Sequence, residues 1–157
     1  MSLSFAQSGN TILAEKIAEE YLSAFYQGDL NKAAELTHPD QLNTLKLALL
    51  SEINSGRLPE QEFRSMAEIS DEKELDTLSP KFFFITMQKA NRKGSPAEFL
   101  NSMKNAKIKA SKSNILSSGL IEVLLSVTSL RPDGNESTQQ TPIYVKRDGD
   151  AFKVTMP

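Results

Sequence analysis

His38 and Asp40, two residues apart in Thr37-His38-Pro39-Asp40, place an imidazole next to a carboxylate in this chain of 157 residues. Inside an apolar cavity such a pair can exchange protons near neutral pH, because desolvation raises a carboxyl group into that range. Tyr21, on the apolar side of an expected helix, would add a phenol able to hold a ligand carbonyl. His38, Asp40 and Tyr21 are therefore the candidate catalytic residues. The same tetrapeptide also reads as a turn before a helix, with Pro39 at the first helical position. The two readings diverge on burial: a closed apolar cavity favours chemistry, whereas an exposed helix start removes it.

Other chemistries find little support. His38 is the only histidine and there is no cysteine, which excludes disulfides, thiolate nucleophiles and the usual histidine- or cysteine-ligated metal sites. No metal and no cofactor is expected. The seven glycines are scattered rather than gathered into a phosphate-binding loop, and no serine sits in a glycine-flanked nucleophile elbow. Asn135-Glu136-Ser137 fits a glycosylation sequon in an expected loop.

The net charge of −2 conceals an asymmetry. Residues 1–78 hold 6 Lys+Arg against 14 Asp+Glu, whereas residues 79–157 hold 12 against 6. Lys104, Lys107, Lys109 and Lys112 form a basic run that would attract an anionic partner; the alternative is a solvated face complementing the acidic helices. No aromatic residue is interleaved among these lysines, so nucleic-acid binding is not expected. No apolar run reaches the roughly 18 residues that a membrane span needs.

The elements that must position these groups are helices first and strands last. Residues 1–10 carry no periodicity and read as a flexible segment. Ser4-Phe5-Ala6 has small residues at the two positions a signal peptidase reads, with Met1-Ser2-Leu3 resembling an added leader. A periplasmic or secreted protein is one expectation from this, a cytoplasmic one the other. From Thr11, the stripe Leu13, Ile17, Tyr21, Ala24 and Phe25 predicts an amphipathic helix ended by Gly28. Asp29 then caps a short second helix. A third follows Pro39, with Leu42, Leu45, Leu49 and Ile53 on one side, widened by Leu47 and Leu50. Further helical stretches are expected around Phe63 and Met66, after Ser70-Asp71-Glu72, after Ser79-Pro80, and after the capping box Ser95-Pro96-Ala97-Glu98. Alternation then predicts strands over residues 106–112, 120–130, 138–147 and 151–156, the last two joined as a hairpin at Arg147-Asp148-Gly149-Asp150.

Two segments resemble the nuclear-transport-factor-two-like (cystatin-like cone) superfamily. Ala18-Glu19-Glu20-Tyr21-Leu22-Ser23-Ala24-Phe25-Tyr26-Gln27-Gly28-Asp29 is similar to its opening helix, which ends at Gly-Asp before a short helix. Lys146-Arg147-Asp148-Gly149-Asp150-Ala151-Phe152-Lys153-Val154 resembles its closing hairpin, with Phe152 where a tryptophan is frequent. Together they cover about a third of the chain. The resemblance implies a curved antiparallel sheet around a long helix, often with an apolar cavity and often a homodimer through the sheet. The stretch from Leu42 to Met103 is longer and more helical than in the compact enzymes of the superfamily and resembles its uncharacterised, often exported, bacterial branches.

The expected architecture is a single α+β domain over residues 11–157, N-terminal helices packed on a curved C-terminal antiparallel sheet. Tyr21, Phe25, Phe83, Ile121, Val123, Val127 and Val145 would line or fill the concave face. The Phe82-Phe83-Phe84-Ile85 cluster reads first as core. The leading functional expectation is a non-enzymatic binding domain, using the cone for a small apolar ligand or using the outer sheet face. The alternatives are an isomerase- or dehydratase-type enzyme working through His38, Asp40 and Tyr21, and an interaction protein using the basic run.

Overall fold

The order of elements in the computed structural model is six helices followed by four strands. Residues 2–116 and 119–157 are described, with side chains from Gly9 onward, so the cleavage-site reading of Ser4-Phe5-Ala6 lies outside the described side chains. The helices are α1 (Ser2–Gln27), α2 (Leu30–Glu35), α3 (Pro39–Asn54), α4 (Glu60–Ala67), α5 (Pro80–Lys93) and α6 (Ala97–Lys104), with a short 3-10 turn at Leu75–Thr77. The strands β1 (Lys107–Ile115), β2 (Ile121–Leu130), β3 (Glu136–Asp148) and β4 (Ala151–Thr155) pair antiparallel in the order β1-β2-β3-β4. The fold class is α+β, as the sequence pattern requires.

Local chemistry sets most boundaries. Gly28, at φ 82°, ends α1 in a left-handed conformation that a side chain would resist. The Asp29 carboxylate accepts from the Lys32 backbone N–H at 3.1 Å and starts α2. Ser79 caps α5 through the Phe82 N–H at 3.2 Å, with Pro80 in its first turn. The hairpin turn between β3 and β4 passes through Gly149 at φ 61°.

Four features depart from expectation. The α1 backbone is helical from Ser2 rather than Thr11. No proline interrupts residues 2–11, and helical bonds propagate backward without an amphipathic pattern. The stretch after Ser70 forms turns and the single 3-10 turn, not a longer helix. There Ser70 and Lys73 give their carbonyls to the buried Arg64 guanidinium at 2.8 and 2.7 Å, which fixes the loop in place of helical pairing. Ser95 is not a cap: Pro96 holds that position, and the Ser95 hydroxyl donates back to the Asn91 carbonyl at 3.0 Å. Leu47 is exposed and does not widen the apolar side of α3.

The chain divides into two compact units, residues 1–38 with 96–157, and residues 39–95. Each has its own core. In the first, α1 lies on the inner face of the sheet. Ala14, Ala18 and Leu22 pack with Ile121, Val123, Leu125, Val127, Val145, Phe152 and Val154. Leu13, expected in this stripe, is 52% exposed while Ala14 is fully buried. The small alanines turn inward because they let the helix backbone approach the sheet closely. In the second unit, Leu49, Ile53, Phe63, Leu75, Leu78 and Phe83 form the core. The Phe63 and Phe83 rings stack at 5.3 Å.

Both sheet edges are managed. The β4 edge is covered by the segment after α2: the Val154 N–H donates to the Leu36 carbonyl and the His38 N–H donates to the Val154 carbonyl, both at 2.7 Å. On the β1 edge, the Ala110 N–H donates to the Glu19 carboxylate of α1 at 2.7 Å. The Ser113 hydroxyl donates to Glu15 at 2.6 Å. These acids thus hold α1 across the sheet as well as facing solvent.

Candidate functional site

His38, Asp40 and Tyr21, the expected catalytic residues, have different surroundings. His38 is buried, and its role is visible: besides the backbone bond to Val154, its Nε2 donates to the Arg147 carbonyl at 3.2 Å. It joins the end of α2 to the closing hairpin. Asp40 is exposed in the first turn of α3. Tyr21 lies partly buried against the first core and shares a hydrogen bond with the Thr37 side chain. Among the described residues, no group of three or more His, Cys, Asp or Glu side chains could hold a metal ion. Nor is any helix long and apolar enough to cross a membrane.

The residues expected to line a cone pocket separate into two groups. Ile121, Val123, Val127 and Val145 share the inner face of the sheet, and Val123 and Val145 have no exposed surface beneath α1. Tyr21 packs at their margin, and Phe25 stacks on Tyr21 at 6.3 Å. Phe83 is not on this face: it is fully buried in the core of the second unit. Its helix is apolar on enough sides to be buried in a core of its own, which periodicity alone could not distinguish from burial under the sheet. The concave face is thus a packed core where α1 crosses it.

The basic run has a geometry the sequence pattern did not reveal. A bulge at Ser111 shifts the register between Ala110 and Lys112, and one extra residue reverses the side-chain alternation. Lys107 pairs with Thr128, Lys109 with Ser126 and Lys112 with Leu124, so all three lysines lie on the outer face of the edge strand. Lys104 is exposed at the end of α6. Lysines along an edge strand oppose pairing with another strand, and like charges facing across a two-fold axis would disfavour edge-to-edge dimers.

The rest of the outer face is a cross-strand polar ladder. Thr128 and Thr138 hydroxyls bond at 2.8 Å. Ser111 donates to the Gln140 oxygen and the Gln140 amide donates to Ser126, both at 2.7 Å. Glu122 receives Asn114 and the Tyr144 hydroxyl, each at 3.1 Å. Glu122 and Tyr144 are outward, as their strand positions imply.

All three tyrosines hold their protons more firmly than a free phenol. Burial is the main cause for Tyr21 and Tyr26, and for Tyr144 it is the hydrogen bond to the Glu122 carboxylate. A phenol whose folded pKa is raised contributes stability that is complete below its unfolded value of about 10 and is lost as pH rises through the folded value. We expect stability to fall on the alkaline side of that value, and Tyr21→Phe to make the fall shallower. Urea denaturation midpoints at alkaline pH, with phenolate absorbance followed in parallel, test this. A midpoint that is flat with pH in the native sequence would refute it.

Among the described residues, the first unit has recesses with the makings of binding sites. One, about 760 Å³, is a groove between α6 and the end of β2. Phe99 and Leu130, 56% and 58% exposed, give it apolar walls. Glu98 and Arg131 supply one charge of each sign, and Asn101, Ser102 and Asn105 supply polar groups. Leu130 falls on the outer side of β2 by simple alternation from Val127 on the inner face. Phe99 was not legible from the sequence, because one aromatic in a short helix carries no periodic signal. The second recess, about 330 Å³, lies at the end of the sheet where β2 begins and β4 starts. A third, about 500 Å³, is lined by Glu19, Glu20, Asp29 and Lys32 among others. Comparison of this chain with family models, with curated proteins and with solved structures returns no match.

Proposed function

We propose that this protein is a non-enzymatic binding domain that takes a small, uncharged, apolar ligand in the groove between α6 and the end of β2. The observation that carries the reading is the pair Phe99 and Leu130, two large apolar side chains more than half exposed on one concave surface. Isolated exposed apolar residues are ordinary, but a concave cluster of them is a feature of ligand sites. A volume of about 760 Å³ is within the range such ligands occupy. The opposed charges of Glu98 and Arg131 leave no net bias toward an ionic ligand.

The long α1 ending at Gly28, the short α2 and the closing hairpin support placing the chain in the cystatin-like cone superfamily. In this reading, the packing of Ala14 and Ala18 against Val123, Leu125 and Val145 moves ligand binding from the cone to the exterior. The disposition of His38 and Asp40 supports binding rather than catalysis.

The chain contains no tryptophan, so Phe99→Trp creates a single fluorescent reporter on the groove wall. Titration with the neutral apolar dye N-phenyl-1-naphthylamine should quench the introduced indole saturably while dye emission rises. Adding Leu130→Asp to the reporter should weaken binding by about tenfold or more, from lost apolar contact and a desolvated charge. Unsaturable quenching, or a dye affinity indifferent to Leu130→Asp, would sink the proposal.

A further inference from the structure

The smaller recess at the end of the sheet has a different chemistry. Ile121 and Phe152, both nearly buried, form its apolar floor, and Ile115 adds a wall. Asn10 of α1, Lys146 and Arg147 complete the lining; none of the described residues lining it is acidic. The Arg147 guanidinium lies over the Phe152 ring, 4.8 Å from its centre. Its Nη2 donates to the Asn10 Oδ1 at 3.0 Å. An exposed arginine normally samples many rotamers, and binding must order it. Here the ring below and the amide beside it hold the planar fork in place before any ligand arrives.

We propose that this recess binds a monocarboxylate with a small apolar body. The carboxylate meets the Arg147 fork, whose geometry suits two parallel N–H donors to one carboxylate. Lys146 adds positive charge at the rim, and the apolar body rests on Ile121 and Phe152. A volume of about 330 Å³ limits the ligand to the small end of the usual range. The stack on Phe152 also shields one side of the guanidinium from water, which strengthens its attraction for an anion. This site shares no residue with the groove beside α6, so either can fail without the other.

The probe is sodium hexanoate, titrated into the full chain and followed by backbone amide NMR shifts, with hexanol, acetate and inorganic phosphate as comparators. Hexanoate should shift the amides of Ile121, Arg147 and Phe152 saturably. Hexanol, lacking charge, and acetate, lacking an apolar body, should bind at least severalfold more weakly. Added salt should weaken hexanoate binding. Arg147→Gln should raise the hexanoate dissociation constant by about tenfold or more, the loss expected for one charge-assisted hydrogen bond. Asn10→Ala, which frees the fork without removing it, should raise it by a smaller factor. Both positions are on the surface side of the fold, so amide dispersion should be retained. Phosphate binding as tight as hexanoate would overturn the ligand class. Absence of saturable shifts at those three amides, or unchanged affinity in Arg147→Gln, would overturn the site.

Discussion

Phe83→Ala should cost about 3–5 kcal/mol, the range for truncating a fully buried aromatic, with the loss concentrated in the unit formed by residues 39–95. The Phe83 ring has no exposed surface and stacks on Phe63 at 5.3 Å. It also meets Phe82 edge-on at 6.5 Å, and the Lys46 ammonium lies 5.8 Å from its centre. That ammonium is held by the carbonyls of Asp76 and Leu78 at 2.6 and 2.7 Å. Removing the ring therefore opens a cavity and takes an aromatic face from a half-desolvated cation. Native-state hydrogen exchange reads the effect by region. Amides of α3, including those of Leu49 and Ile53, should lose most of their protection, while the inner-face amides of β2 and β3 change much less. Equal loss at Val123 and Val145 would mean that Phe83 supports the sheet after all, as its assignment to the concave face supposes. A loss under about 1 kcal/mol would mean that the site collapses around the missing ring.

That contrast marks where the sequence was informative and where it was not. Features set within a few residues were legible. The Asp29 and Ser79 caps, the Gly28 stop and the turn at Gly149 follow from side-chain length, proline geometry and glycine's tolerance of positive φ. The four strands also appear where alternation placed them, with β1 and β3 extended by a few residues. Features set by distant partners were not legible. The apolar density of residues 82–87 predicts burial but not which core receives it. Ala14 and Ala18 carry a weaker hydrophobic signal than Leu13, yet they face the sheet because their small size permits close approach. The Ser111 bulge, which gathers Lys107, Lys109 and Lys112 on one face, leaves no trace in composition. His38 read as a candidate acid–base residue because a lone histidine beside a carboxylate has that pattern. Its burial comes from pairing with Val154 and Arg147, more than a hundred residues away. The recesses were the least visible, since each draws residues from elements far apart in the chain. Arg147 read only as part of a turn, and its stack on Phe152 depends on register across the hairpin, where the two residues are paired.

Leu125→Ala should cost about 2–5 kcal/mol and should also open a cavity under α1. Leu125 is fully buried on the inner face, with Ala110 and Thr141 as its cross-strand neighbours. Val123 and Val127 flank it along β2, and Ala14, Ala18 and Leu22 belong to the same core. Neither alanine on the helix is long enough to refill the space, so relaxation should be partial and the cost nearer the upper end. The lining is almost wholly apolar, and cavities of that kind stay dry and accept small apolar guests. Benzene should therefore raise the urea midpoint of Leu125→Ala by mass action on the folded state and leave the native sequence unchanged. The comparison bears directly on the proposed placement of ligand binding outside the sheet. If benzene stabilises only the variant, the space beneath α1 is filled in the native sequence, which favours the exterior groove of the proposal. If it stabilises both equally, a pocket already exists beneath α1, and Tyr21, with its raised phenol pKa, returns as a candidate ligand contact. Should the variant prove too unstable to isolate, Val127→Ala makes a smaller cavity on the same face at a lower cost and carries the same benzene test.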